Sequence, residues 1–164
     1  MTLFQNISLF LTILFSGLIA GLLFGYSCSV NMGLKALPDM EYVKAMQSIN
    51  TAIQNPVFFI CFLGLLLLFP LTTWVFYSRP PAGSFYIWLL ASSIYFIGVF
   101  GVTILGNVPL NDQLNNFRIS AASPVEISAM RLSFESAWNT FHLVRTVAAI
   151  LSFGLAIYSI IRKS

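Results

Sequence analysis

The chain has 164 residues, of which 58% are hydrophobic and 8% charged, and its formal net charge is +3. Soluble domains usually carry roughly 25% charged residues, so this chain has too few charges to cover a water-facing surface. The charge is small and forms no basic stripe with interleaved aromatics, which argues against a nucleic-acid partner. The length fits one domain, which we take to comprise residues 1–164.

Four segments are long and apolar enough to cross a bilayer, which requires about 20 helical residues. They are residues 7–30, 57–77, 85–105 and 140–161. The first three contain no charged residue, whereas the fourth carries Arg145 and the only histidine, His142. The first lacks a basic leader and a small-residue cleavage site, so we expect a helix of the mature protein rather than a signal peptide. The sequence thus predicts an all-α integral membrane four-helix bundle surrounded by lipid.

Four spans place both termini on one side of the membrane. That side also holds the linker 78–84, and it carries Arg79, Arg162 and Lys163 without an acidic residue. The two longer linkers mix basic and acidic residues. Because basic residues concentrate on the cytoplasmic side, we expect a bacterial inner-membrane protein with both termini in the cytoplasm and the long linkers outside.

A stripe of small residues follows one face of the first span, at Gly17, Gly21, Gly25, Ser29 and Gly33. Spacing of four residues lets a neighbouring helix approach closely. One interpretation is packing between helices of the same chain. The other is a homo-oligomer formed through the Gly17/Gly21/Gly25 face.

Both long linkers contain signals for amphipathic helices outside the membrane. The stretch "LPDMEYVKAMQSINTAIQNP" has apolar residues at helical spacing and stops before Pro56. In the second linker, Ser123 and Glu126 form a capping box around Pro124. A helix that starts there meets no breaker before residue 161, so it extends roughly 57 Å, beyond a hydrocarbon core of about 30 Å.

Polar residues concentrate at the outer ends of the spans. His142 and Arg145 are three residues apart and share one helix face. Residues at similar depth on the other spans are Tyr26, Cys28, Cys61 and Asn107. Because charges inside a membrane usually face the protein interior and have partners, we expect His142 and Arg145 to face inward, with an acid or an oxygen-rich ligand as the partner of Arg145.

Several of these residues also have purely structural interpretations. Asn107 and Asn111 are suited to capping helix ends around Pro109, and Trp138 to anchoring at the interface. His142 with Cys28 and Cys61 supplies three metal ligands at most, and no spacing motif supports a metal site. We therefore expect no metal and no other cofactor, while a Cys28–Cys61 disulfide stays open.

Two elements, "GNVPLNDQL" and "WNTFHLVRTVAAILSF", resemble the pattern of the anthrone oxygenase-like family of four-helix membrane proteins. The shared positions are Asn107, Pro109 and Asn111 in the first element and Trp138, Asn139, His142, Arg145 and Thr146 in the second. Most bacterial members of that family have no assigned activity. The resemblance implies oxidation of anthrones to anthraquinones with dioxygen, without metal or flavin.

The residues suit that chemistry. A neutral histidine can remove the acidic C–H proton of an anthrone, and an arginine can stabilise the resulting enolate oxygen. His142 and Arg145 are therefore the candidate catalytic residues. Candidate substrate-binding residues are Asn107, Asn111, Trp138, Asn139 and Tyr26.

Two functions follow from the sequence. One is a cofactor-independent oxygenase acting on an aromatic polyketide or quinol-like substrate, favoured by the His–Arg–Trp–Asn cluster. The other is a non-enzymatic membrane protein that binds a lipid or quinone, or a subunit of a larger membrane complex. The absence from the sequence of a nucleophile motif or paired carboxylates favours the second.

Overall fold

The computed structural model describes residues 2–77 and 83–162. These residues form seven α-helices, three π-helical segments and one 3-10 turn. The α-helices are α1 (Leu3–Gly25), α2 (Asn31–Lys35), α3 (Asp39–Ala52), α4 (Pro56–Tyr77), α5 (Gly83–Ile94), α6 (Val108–Asn116) and α7 (Pro124–Ile161). The π-helical segments are Tyr26–Val30, Tyr95–Gly101 and Thr103–Asn107, and the 3-10 turn is Ile119–Ala121.

Four continuous helices in the described ranges are long and apolar enough to cross a membrane: Leu3–Lys35, Pro56–Tyr77, Ser84–Asn116 and Pro124–Ile161. We call them the first to fourth spans. The prediction of an all-α membrane protein with four spans is confirmed. Arg79 and Lys163, which contributed to the predicted orientation, lie outside the described residues.

The spans pack around a common core. The first span contacts α4 and α7, and α5 contacts the same two helices. Large buried side chains in this core include Leu65, Phe69, Phe76, Trp88, Tyr95 and Val99. Hydroxyl groups join the first and second spans as well: Thr72 Oγ1 lies 2.9 Å from Ser8 Oγ and 2.8 Å from Thr12 Oγ1. Such bonds keep polar groups satisfied where no water reaches them.

The fourth span begins where the local sequence predicts. The Ser123 hydroxyl accepts from the Glu126 backbone N–H, and the Glu126 carboxylate accepts from the Ser123 N–H. The helix then continues for 38 residues to Ile161. Its first third packs against α3 and α6, as expected for an amphipathic segment.

The helices α3 and α6 and the start of α7 cover one end of the spans, which we call the capped end. Together with Leu34 of α2, their buried side chains form the cap cluster, which consists of Leu34, Tyr42, Val43, Met46, Leu114, Ile127, Phe134 and Trp138. The amide nitrogen of Gln47 on α3 donates to the carbonyl oxygens of Leu114 (2.8 Å) and Phe117 (2.9 Å) at the end of α6. Burial raises the pKa of Tyr42, whose hydroxyl therefore stays neutral.

Arg131 on α7 ties the cap to the fourth span. Its guanidinium donates to the carbonyl oxygens of Leu37 (2.7 Å) and Lys35 (3.0 Å) and to the carboxylates of Asp39 (3.0 Å) and Glu135 (2.8 Å). It also lies 4.4 Å above the ring centre of Tyr42. One side chain thus holds the loop before α3 against α7.

We expect Arg131→Ala to lower thermal stability clearly, because it removes several charge-assisted hydrogen bonds from a largely buried position. Such bonds contribute roughly 1.5–3 kcal/mol each at most, so a net loss on the order of 2 kcal/mol is expected. The unfolding midpoint in detergent measures it. Arg118→Ala, at an exposed arginine of the same end, is the control. Equal midpoints for the two variants would refute this role of Arg131.

The small-residue stripe packs within the chain at only one of its four glycines. A Cβ on Gly17 would meet the Phe153 ring at 3.1 Å, whereas Gly21, Gly25 and Gly33 have nothing within 4 Å of that position among the described residues. The interpretation as internal helix packing is therefore wrong for those three glycines. Closer contacts lie elsewhere, at Gly98 against Ala148 and at Gly106 against Phe141. The homo-oligomer stays a prediction.

Candidate functional site

A cavity of about 310 Å³ lies beneath the cap, between the first, second, third and fourth spans. Ligand sites usually have volumes of about 300–1,000 Å³. Its polar and aromatic wall consists of Tyr26, Asn50, Gln54, Thr103, Asn111, Asp112, Trp138, His142 and Arg145. The remaining wall is aliphatic or phenylalanine, contributed by the first, second and third spans and by α3 and its C-terminal end. A mostly apolar cavity with a few convergent polar groups is the usual form of a small-molecule site.

His142 is buried, with 1% of its surface exposed, and both ring nitrogens have partners. Nδ1 lies 3.3 Å from Arg145 Nε and 3.1 Å from Arg145 Nη2. Because a guanidinium only donates, Nδ1 must be the acceptor and Nε2 carries the proton. Nε2 lies 2.9 Å from Ser27 Oγ, whose own proton is donated to the Leu23 carbonyl. The hydrogen-bond network thus assigns a neutral imidazole with its lone pair on Nδ1.

Arg145 lines the same cavity and forms no ion pair in the described part of the chain. Its guanidinium carbon lies 5.2 Å from the ring centre of Trp138, at cation–π distance. Glu135, ten residues earlier on the same helix, is paired with Arg131. Asp112 also lines the cavity but makes no ion pair with Arg145. The cation is therefore held by an imidazole lone pair and an aromatic face.

Aromatic rings surround the histidine. Trp138 stacks on His142 with ring centres 4.9 Å apart and an interplanar angle of 12°. Tyr26 meets the edge of His142 at 5.0 Å and packs against Trp138 at 5.3 Å. The indole N–H of Trp138 donates to Asn111 Oδ1 over 2.7 Å. This arrangement fixes the orientation of the Trp138 ring and gives the cavity a flat aromatic wall.

Two of the π-helical segments bring their side chains to the site by displacing the normal helical register. Tyr26 and Ser27 lie in the segment Tyr26–Val30, and Thr103 lies in Thr103–Asn107. Such segments recur at functional sites because the wider turn re-aims side chains that a regular helix would direct elsewhere.

Five of the seven predicted site residues line the cavity: Tyr26, Asn111, Trp138, His142 and Arg145. Asn107 and Asn139 do not. Asn107 is fully buried behind the wall, where its Nδ2 donates to the Trp138 carbonyl over 3.2 Å and its Oδ1 has no hydrogen-bond partner. Asn139 is half-buried, and its Oδ1 likewise has none. Asn107 thus supports Trp138 from behind.

The expected inward orientation of His142 and Arg145 is confirmed, whereas the two cysteines do not join the site. Cys28 is exposed, Cys61 is buried in the core, and both are free thiols outside the cavity wall. Cys28 and Tyr26 are at similar depth, but residues two apart on a helix do not face the same way, and only Tyr26 lines the cavity.

The sequence did not predict that Ser27 and Asn50 belong to the site. It also did not predict that Thr146 contacts the imidazole of His142. Thr146 Oγ1 donates to the His142 carbonyl over 2.7 Å and lies 3.5 Å from Nε2. Asn50 on α3 is 3% exposed, lines the cavity, and has an amide nitrogen without a hydrogen-bond partner. Thr146 follows His142 by one helical turn, a spacing that signals contact, whereas Ser27 and Asn50 carry no sequence signal because they reach the site through tertiary packing.

With this geometry established, comparison with known proteins gives the family. A model of the anthrone oxygenase family matches residues 51–155, a region that includes α4, the third span and most of α7. The chain belongs to the anthrone oxygenase family. No curated protein and no solved structure gives a match.

Proposed function

We propose that the protein is a cofactor-independent oxygenase that oxidises an anthrone-like or quinol-like aromatic substrate with dioxygen. One observation carries the proposal. Arg145, inside a membrane span, lines a cavity beside the neutral His142 and has no carboxylate partner in the described ranges. An intramembrane cation without a counterion is costly, so its retention points to a ligand that supplies negative charge.

Arg145 would bind the substrate oxygen. An anthrone ketone gains negative charge on its oxygen when the C–H across the central ring is deprotonated. A guanidinium placed beforehand in a site closed to water stabilises that charge strongly. The aromatic wall of Trp138 and Tyr26 supports stacking of a flat ring system.

His142 would accept the proton at Nδ1. In the empty site the Arg145 N–H groups occupy this lone pair. A substrate oxygen that accepts from Arg145 competes for those N–H groups and frees Nδ1 beside the bound molecule. Ser27 fixes Nε2 as the protonated nitrogen, so Nδ1 is the nitrogen that serves as base.

The reaction balances with the anthrone and dioxygen as the only reactants. The proton moves from the substrate carbon to His142 Nδ1, and the electrons of that C–H bond reside in the enolate. Dioxygen adds at the same carbon and takes the proton back as a hydroperoxide. Loss of water, with cleavage of the O–O bond, leaves a second ketone. One anthrone and one dioxygen give one anthraquinone and one water.

Turnover by the purified protein tests the proposal. Protein in lipid nanodiscs is mixed with anthrone, and anthraquinone formation and oxygen uptake are recorded against empty nanodiscs. We expect protein-dependent formation of one anthraquinone per oxygen consumed. Binding of anthraquinone without any acceleration over empty nanodiscs would contradict an oxygenase and favour a non-enzymatic quinone-binding protein.

We also propose that the chain lies in a bacterial inner membrane with the capped end outside and both termini in the cytoplasm. The basic residues of the terminal side, including Arg162, support this orientation. In a chain with Cys28→Ser and Cys61→Ala, a membrane-impermeant maleimide on intact cells is expected to label Ser120→Cys. It should label Thr2→Cys only after permeabilisation. The reverse pattern would invert the topology.

A further inference from the structure

We infer that the substrate enters the cavity from the bilayer, through a slit between the capped-end parts of α4 and the third span. The substrates are therefore uncharged, planar molecules dissolved in the membrane. The inference rests on the proposed function for the chemistry of the ligand. The route itself follows from packing, one side of the cavity at a time.

The second and third spans separate near Phe62. Tyr95 Oη donates to the Phe62 carbonyl over 2.9 Å, and the rings of Phe62 and Phe100 lie 5.9 Å apart. Closer to the capped end, in the part of the chain that the structure describes, no hydrogen bond or ring contact joins these two spans. There the facing residues, Phe59 on α4 and Ile104 on the third span, line the cavity.

The surface around this slit is suited to lipid. Leu63 and Ile104 line the cavity and are each 45% exposed. The neighbouring outward positions are also large and apolar, with Ile60, Leu67 and Leu105 all exposed. Gln54 and Asp112 are exposed at its capped end. The slit thus runs from polar residues at the headgroup level down to aliphatic residues at the level of the acyl chains.

The other sides of the cavity are more closely packed. Towards water, the cap cluster covers the site except at the exposed Gln54 and Asp112, and Arg131 and Gln47 hold the cap in place. Between the third and fourth spans, the helices pack closely at Gly106, where a Cβ would meet the Phe141 ring at 2.6 Å. The first span contacts both α4 and α7 through Leu3–Gly25, and its segment Tyr26–Val30 contacts α7 as well. A bulky planar molecule can therefore enter through the slit with less rearrangement of the protein than by the other sides of the cavity.

A charged molecule has no comparable path. The slit is lined mainly by aliphatic and phenylalanine side chains, and placing a fixed charge among them costs several kcal/mol. Uncharged aromatic ketones and quinols partition into the bilayer and reach the slit by lateral diffusion. Phe59, Leu63 and Ile104 then determine which molecules enter.

Thiol labelling tests the route without any enzymatic reaction. The reporter is Thr103→Cys, at a buried position on the cavity wall, in a chain with Cys28→Ser and Cys61→Ala reconstituted in liposomes. One reagent is N-(1-pyrenyl)maleimide, which is uncharged, planar and membrane-dissolved. The other is a disulfonated, membrane-impermeant stilbene maleimide. Full labelling after denaturation in detergent confirms that the thiol is intact.

A matched pair of variants on α4 locates the entry. Leu63 and Leu67 are one turn apart and both face outward, but only Leu63 lines the cavity. We expect the pyrenyl reagent to label the reporter and the sulfonated reagent to fail. Leu63→Trp should slow pyrenyl labelling about tenfold, equivalent to a barrier increase of about 1.4 kcal/mol, while Leu67→Trp leaves the rate unchanged.

Three results would overturn the inference: labelling by the sulfonated reagent as fast as by the pyrenyl one, equal rates for Leu63→Trp and Leu67→Trp, or no labelling of the folded protein by either reagent. The outcome is independent of catalysis. If labelling occurs as expected but the anthrone assay fails, the entry route stands and the proposed reaction is refuted. If the anthrone assay succeeds but labelling fails, the proposed reaction stands and the entry route is refuted.

Discussion

Replacing Arg145 with glutamine is expected to lower kcat for anthrone oxidation about 10²–10³-fold, the usual effect of removing one preorganised donor to a developing oxyanion. Glutamine keeps a hydrogen-bond donor but loses the charge that stabilises the enolate. Arg145→Lys should also lose activity, because a compact ammonium does not reproduce the planar fork that would donate to the substrate oxygen. Steady-state kinetics in nanodiscs measure both variants, with Arg118→Gln as a control for an exposed arginine.

Thermal stability separates this role from a structural one. Arg145 has no carboxylate partner among the described residues, so glutamine removes an uncompensated charge from the interior. The unfolding midpoint of Arg145→Gln should therefore be unchanged or higher, in contrast to Arg131→Ala. A midpoint that falls together with the activity would indicate that Arg145 mainly holds the fold together.

The second large effect is expected at His142. His142→Ala should reduce kcat by about 10²–10⁴-fold, the usual contribution of a general base, while the protein stays folded. Imidazole added to the alanine variant should restore part of the activity, because the deletion leaves space for it beside Arg145. A purely structural histidine would not respond to imidazole. Unchanged kcat in His142→Ala would eliminate the proposed base.

Ser27→Ala provides a graded comparison for the same site. It removes the acceptor that holds His142 Nε2–H but leaves both proposed catalytic residues in place. We expect a smaller loss of kcat than in His142→Ala. An equal loss would mean that the Ser27 hydroxyl itself takes part in the proton transfer.

Local signals in the sequence were sufficient for the elements and for part of the site. The start of α7 was predictable because Ser123 and Glu126 satisfy each other's backbone groups within one turn. His142 and Arg145 were predictable as a pair because residues three apart on a helix face the same way, and their direct hydrogen bonds confirm it. Four long apolar segments predicted the four spans.

Tertiary packing decided what the sequence did not predict. Tyr26 and Cys28 lie at similar depth, but residues two apart on a helix point to opposite sides, so depth alone did not predict that only Tyr26 lines the cavity. Asn107 has the residue type of a ligand-binding group but lies behind Trp138. Gly21 and Gly25 have the spacing of a packing face, yet the neighbouring helices of the same chain approach at Gly98 and Gly106 instead.

The most direct test of the central claim is an anaerobic titration of anthrone with the protein in nanodiscs, followed by the absorption of the anthrone enolate at neutral pH. If Arg145 stabilises the oxyanion and His142 takes the proton, enolate accumulates in proportion to the wild-type protein and is much reduced in Arg145→Gln and His142→Ala. Admission of oxygen should then convert it to anthraquinone. Anthrone that binds in the wild-type protein but stays in its ketone form, or equal enolate in all three proteins, would contradict the account.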